Sequence, residues 1–134
     1  MIFVDASAII AIMTREPGHE RLVAALESAE SMITSPIALF EATAGLCRKR
    51  GLTVESARTE IQAFLDICGV ETVAISPEIG LEALTAFDRF GKGRGSKAQL
   101  NLGDCFAYAA AKRHNAALLF TGSDFIATDI TPAT

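Results

Sequence analysis

Short apolar runs alternate with segments of helical length along this chain, and that alternation narrows its fold more than any other feature. Met1-Ile2-Phe3-Val4 is too brief for a helix, and its β-branched and aromatic residues suit a buried strand. Ser31-Met32-Ile33-Thr34-Ser35, Val70 to Ile75 and Ala116 to Thr121 read the same way. The stretches between them carry apolar residues at helical spacing. Strands separated by helices predict an α/β domain of three layers, a mainly parallel central sheet flanked by helices on both faces. With 134 residues the chain forms one domain, residues 1–134, able to bury roughly two-thirds of its unfolded surface.

Helix starts and stops refine this outline. Ser7 opens an apolar run, Ala8 to Met13, and Arg15-Glu16-Pro17-Gly18 reads as a turn whose proline also begins the next helix. That helix offers Leu22, Val23, Leu26 and Ala29 as its apolar face. Ser35-Pro36 and Ser76-Pro77 each pair a capping hydroxyl with proline at the first helical position. The helix from Ser35 has Ile37, Phe40, Ala44 and Cys47 in register, and Arg48-Lys49-Arg50 then Gly51 end it. From Thr53, the residues Val54, Ala57, Ile61, Phe64, Leu65 and Cys68 form a stripe closed by Gly69. Ile79, Ala83, Phe87 and Phe90 are the expected buried face after Ser76. Gly91 to Lys97 reads as a mobile basic loop, and Asn101 opens an alanine-rich helix capped at Asn115. Thr131 to Thr134 reads as a frayed end.

Composition sets bounds on function. Half of the residues are hydrophobic and 21% are charged, a globular balance. No apolar run approaches the roughly 20 residues of a membrane span, and Asp5 interrupts any secretory n-region. Cys47, Cys68 and Cys105 are odd in number and lack metal-ligand spacing, which suggests buried thiols of a cytoplasmic protein. A net charge of −4 excludes a generally basic surface but leaves room for a local basic strip.

Four acids stand out by position. Asp5 and Asp124 each follow a buried strand, where open α/β sheets bind ligands. Glu41 and Asp104 lie early in helices that begin after a strand or a loop. Strand carboxyl ends and the helix amino ends that follow them share one edge of a parallel sheet, so all four carboxylates can converge there. Each has a plain structural reading as well. Asp5 can cap its helix with Ser7, Glu41 can be a solvated helix residue, Asp104 can serve the helix dipole, and Asp124 can be a turn residue. Gathered together without compensation, they would repel one another and raise their own pKa values. Magnesium, or manganese, resolves such crowding, because hard cations take oxygen ligands and keep several waters.

The segments Ile2-Phe3-Val4-Asp5-Ala6-Ser7, Ser35-Pro36-Ile37-Ala38-Leu39-Phe40-Glu41, Leu102-Gly103-Asp104-Cys105-Phe106-Ala107-Tyr108-Ala109 and Leu118-Leu119-Phe120-Thr121-Gly122-Ser123-Asp124-Phe125 occur in an order that resembles the PIN-domain ribonucleases. Within that family the chain is similar to the VapC-like toxins of bacterial toxin–antitoxin pairs. The resemblance implies a magnesium-dependent RNA-cleaving enzyme, a homodimer, held inactive by a cognate antitoxin protein. Asp5, Glu41 and Asp104 match the acidic triad, Asp124 a fourth acidic position, and Ser7 a hydroxyl near the metal. The chain departs from the pattern at Ser123, where many members carry Asp or Asn, which leaves the last loop's ligand open between Asp124 and its neighbour.

The reading that follows is metal-assisted hydrolysis of RNA phosphodiesters. Asp5 and Asp104 are the expected direct ligands, and Glu41 completes the set or orients the attacking water. Asp124 holds a second ion or a water, and Ser7 supports them. Lys92, Arg94 and Lys97 can grip the RNA backbone, or merely solvate a connector. Two competing functions are a phosphatase with Asp5 as nucleophile and a catalytically silent module that only binds a partner. A phosphatase would favour an acid at position 7, where Ser7 stands, and four intact acids argue against decay.

Overall fold

The computed structural model describes residues 1–134, Met1 to Thr134. Four strands of three residues each, β1 (Ile2–Val4), β2 (Met32–Thr34), β3 (Val70–Thr72) and β4 (Ala117–Leu119), make one sheet in the order β3-β2-β1-β4. Every pairing is parallel, with Phe3 opposite Ile33 on one side and Leu118 on the other. Parallel neighbours require crossovers, and helices supply them: α1 (Ala6–Met13) and α2 (His19–Ser28), α3 (Pro36–Arg50) and α4 (Val54–Cys68), then α5 (Pro77–Phe90) and α6 (Leu102–Arg113). The chain builds outward from β1 to β3, then returns to place β4 on the other side of β1. The direction of winding therefore reverses at β1, and ligands of open α/β sheets bind outside strand carboxyl ends at such a point.

Alternation along the strands divides the interior in two. Phe3, Ile33 and Leu118 face a core completed by α5 and α6, whereas Val4 and Leu119 face α1 to α4. These are the three expected layers.

Local chemistry explains most helix ends. The Ser35, Thr53 and Ser76 hydroxyls accept the N–H groups of Ala38, Ser56 and Ile79, and Asn101 forms a capping box with Asp104. Gly51 and Gly69 close α3 and α4 in the left-handed conformation, at φ 64° and 73°. Asn115 adopts φ 54° one residue beyond its expected place, since His114 is the C-cap of α6.

Several expectations need correction. Pro17 lies in the turn, and α2 begins only at His19 behind Gly18. Strand β3 stops at Thr72 and β4 at Leu119, because the chain then turns off the sheet edge. On α3 the inward residues are Ala38, Ala42, Gly45 and Leu46, while Phe40 is 77% exposed. Close packing on α1 accounts for one of these positions: a β-carbon at Gly45 would collide with Ile10. On α5, Ile79, Ala83 and Ala86 are buried while Phe87 is 42% exposed. Val54 likewise faces outward.

The basic loop is pinned at its base. Lys92 N–H donates to the Leu100 carbonyl at 2.9 Å and Leu100 N–H to the Phe90 carbonyl at 2.9 Å, and Ala98 and Leu100 are buried. Nor is the C-terminal segment frayed. Leu118 N–H donates to the Thr131 carbonyl and Ala133 N–H to the Leu118 carbonyl, each at 2.8 Å, which covers the free edge of β4. Cys105 is buried, Cys47 and Cys68 only partly, and all three are free thiols.

Candidate active site

Asp5 is set by the strand that precedes it. Its N–H donates to the Leu119 carbonyl at 3.0 Å, which continues the β1–β4 ladder and fixes the residue at the sheet's carboxyl edge. Its carboxylate then caps α1, accepting the Ser7 N–H at 3.1 Å and the Ser7 hydroxyl at 2.6 Å, and only 4% of the residue is exposed. Ser7 Oγ also accepts the Thr121 N–H at 3.1 Å, so one hydroxyl ties Asp5 to the chain leaving β4. The capping role foreseen for Asp5 is real, and it is also what holds the carboxylate in place.

Asp104 occupies the first turn of α6. The Asn101 N–H donates to its carboxylate at 3.1 Å, Asn101 Oδ1 accepts its N–H at 2.8 Å, and it is 9% exposed. Glu41 projects half-buried from the second turn of α3 toward the start of α6. Gly103 makes that approach possible, because a β-carbon there would run into the Glu41 carboxylate. Sequence reasoning passed over Gly103, and its only signal was a glycine inside the first turn of a helix otherwise rich in alanine. Asp124 lies on the exposed loop after β4.

Electrostatics show which of these acids come together. Burial raises the pKa of Asp5, the two Ser7 bonds oppose that rise, and the charge of Asp124 adds to it. Glu41 is pushed up to about 7, first by burial and then by the charges of Asp5 and Asp104. Asp104 is pushed up to about 6 by burial, against the Asn101 N–H bond and with the charges of Asp5 and Asp124. Asp5 and Asp104 thus act on Glu41, and Asp124 acts on Asp5 and Asp104. Ser123 is exposed and its side chain bonds to none of them.

A family model, the PIN domain, matches residues 2–130 of the chain. The chain belongs to the PIN domain family. It is 40% identical over 141 aligned residues to a VapC ribonuclease of Rhizobium meliloti (strain 1021), with 97% of this chain and 99% of that protein covered. Among solved structures, the VapC20 toxin of Mycobacterium tuberculosis, described as cleaving the sarcin–ricin loop, matches with a TM-score of 0.77 at 20% identity. That match covers 98% of this chain and 97% of the other. A toxin–antitoxin complex from Klebsiella pneumoniae matches with a TM-score of 0.70 at 15% identity, over 96% and 93% of the two chains.

In this PIN domain the acids have no cationic side chain for company. None of the structure's ion pairs includes Asp5, Glu41, Asp104 or Asp124. No three acidic, cysteine or histidine side chains are arranged to hold a metal ion by themselves either. The donor set still fits magnesium or manganese, since these ions bind proteins through one or two carboxylates and fill their remaining positions with waters and substrate phosphate. Of the basic residues, Arg94 pairs with Asp88 at 3.2 Å and lies over the Phe87 ring. Lys92 lines an apolar depression with Phe87 and Leu102, and Lys97 is exposed without an ion-pair partner. Arg50 and Lys49 at the end of α3 pair with Glu60 and Glu16. No helix is long and apolar enough to cross a membrane.

Proposed function

We propose that this chain is a VapC-type endoribonuclease toxin that hydrolyses RNA phosphodiester bonds with the help of magnesium, for which manganese can substitute. The observation that carries this reading is the gathering of Asp5, Glu41 and Asp104 at the carboxyl edge where the sheet reverses its winding, with Asp124 on the loop beside Asp5 and Asp104 and no cationic side chain paired to any of them. An ion bound there supplies Lewis-acid stabilisation of the phosphate and an activated water.

The residues divide the remaining work. Asp5 and Asp104 are the principal ligands, both immobilised by hydrogen bonds before any ion arrives. Ser7 keeps the Asp5 carboxylate aimed. Glu41, half-buried beside Asp104 and Gly103, completes the ligand set or orients the attacking water. Asp124 holds a second ion or an ordered water, and Ser123 borders that loop. Lys92, Arg94 and Lys97 offer phosphate contacts, with Arg94 drawn partly away by Asp88.

Two apolar surfaces support two protein partners. A groove of about 440 Å³ runs between α3 and α4, lined by Leu39, Phe40, Val54 and Ile61, and suits an amphipathic helix of a cognate antitoxin. A depression of about 290 Å³ between α5 and α6, lined by Leu84, Phe87 and Leu102, suits a second copy of the chain. An RNA substrate places the action in the cytoplasm. Cleavage of a fluorogenic RNA in magnesium, abolished by EDTA, is the expected result. Cleavage that continues unchanged in EDTA would refute the metal-dependent reading.

A further inference from the structure

Beside the acids, the same edge of the sheet carries a recess that the catalytic reading leaves without a role. It measures about 310 Å³, at the small end of the roughly 300–1,000 Å³ typical of ligand pockets. Phe120, Thr121 and Gly122 wall it where the chain leaves β4, Phe125 and Ile126 come from the next turn, and Arg21 reaches it from the start of α2. Two short links join it to the reacting centre. The Thr121 N–H donates to Ser7 Oγ, and that hydroxyl donates to Asp5. Asp124 lies in the turn between Gly122 and Phe125.

The lining has a specific chemical character. Phe120 and Phe125 pack with ring centroids 5.1 Å apart, and buried Phe125 fixes the pair. Ile126 is 71% exposed at the rim, an apolar residue that packing in this chain does not require. Arg21 is the one cation in the lining and takes part in none of the structure's ion pairs. Ile130, Pro132 and Thr134 of the C-terminal segment complete a mixed lining, in which apolar side chains and small polar groups flank one guanidinium. Rings and a guanidinium side by side, next to the acidic edge, match a flat group joined to a phosphate. An acidic peptide would satisfy Arg21 but leave the rings unused.

We infer that this recess receives one unpaired nucleobase adjacent to the scissile phosphate, with Phe120, Ile126 and Arg21 as specificity-determining residues. The inference rests on the ribonuclease reading and adds to it the residues of this chain that choose the base beside the cut.

Binding can be read without cleavage. Asp5→Asn protein in EDTA is mixed with single-stranded RNAs carrying 2-aminopurine at successive positions. A rise in emission at one position is expected, as that base leaves its neighbours and enters the recess. Ile126→Trp, which fills the recess from the exposed rim, and Arg21→Ala should each abolish the rise. In the otherwise wild-type enzyme with magnesium, both variants should flatten the base preference beside the cut. They should raise KM on the order of tenfold, the scale of one lost base stack, with a smaller change in kcat. An emission change at no position, or one that survives both variants, would overturn the inference. So would variants that leave RNA binding intact but weaken capture of a partner polypeptide. A wild type that never cleaves RNA yet shows the position-specific rise would overturn the ribonuclease reading and leave the base pocket standing.

Discussion

Two groups of carboxylates in this molecule sit in opposite electrostatic circumstances. Asp129, near the C-terminal segment, accepts the Tyr108 hydroxyl at 2.6 Å and Lys112 Nζ at 3.3 Å, with Arg89 at 3.8 Å. The Tyr108 bond does most to hold its pKa below the ordinary range, and Lys112 and Arg89 add to that. Tyr108 in turn is pushed up to about 12 by burial and by Asp129. Asp5, Glu41 and Asp104 are raised instead, and no side-chain cation answers them. A carboxylate that fastens the fold brings its partners from the chain. One left without partners, yet fixed by hydrogen bonds at a ligand-binding edge, is arranged for something from outside.

The largest difference between the two groups should appear in catalysis. Asp5→Asn or Asp104→Asn is expected to lower RNA cleavage by about 100-fold or more, with a native-like circular dichroism spectrum. Asp129→Asn should cleave at close to the wild-type rate. Equal losses in all three variants would erase the distinction.

A smaller contrast concerns pH. In the folded chain Glu41 and Asp104 hold their protons more tightly than in the unfolded one, with values of about 7 and about 6 against 4.5 and 3.8. Their contribution to stability is therefore fully present below those unfolded values and is lost as pH rises through about 6 and then about 7. Without metal, lowering the pH from 7.5 to 5.5 should raise Tm by roughly a few degrees, and Glu41→Gln should remove the upper part of that rise. Asp129 has the opposite sign: its contribution is present above its unfolded pKa and is lost only in more acidic solution, as pH falls through its lowered folded value. A metal-free Tm that falls over the same pH interval would contradict the assignment of Glu41 and Asp104.

The smallest expected effect belongs to the fastening side. Asp129→Asn should cost about 1 kcal/mol or less, because the pair with Lys112 is half-exposed and screened while the Tyr108 hydroxyl keeps an acceptor. A loss of several kcal/mol in chemical denaturation would mean that Asp129 holds far more of the fold than its contacts indicate.

The places of Asp5, Asp104 and Asp124 in the fold were legible in sequence because each sits at a junction whose type short-range pattern reveals: Asp5 after an apolar run, Asp104 behind Asn101, Asp124 behind Phe120-Thr121-Gly122. Capping residues gave most helix starts for the same reason. What stayed hidden depends on approach in three dimensions. Three of the four inward residues of α3 are alanine or glycine, so size-weighted periodicity selected Phe40, which lies outside. Gly103 matters only because Glu41, 62 positions earlier, leans over it. Arg21, Phe120 and Ile126 meet in one recess although nothing local links them. The pinning of Thr131 and Ala133 to Leu118 likewise has no signature within the last residues themselves.

Whether the acidic edge takes its cation from solution can be measured without any RNA, by melting wild type, Asp104→Asn and Asp129→Asn in EDTA and in saturating magnesium. Magnesium at about 100 times its dissociation constant should stabilise wild type by roughly 2.7 kcal/mol, through binding to the folded state. Asp129→Asn should keep that gain in full. Asp104→Asn should melt no lower than wild type in EDTA, because one repulsive charge is gone while the asparagine amide oxygen can still accept the Asn101 N–H of the capping box. It should then lose most of the gain in magnesium. An equal magnesium-induced rise in wild type and Asp104→Asn would contradict the metal site and leave Asp104 as the capping-box partner of Asn101 alone.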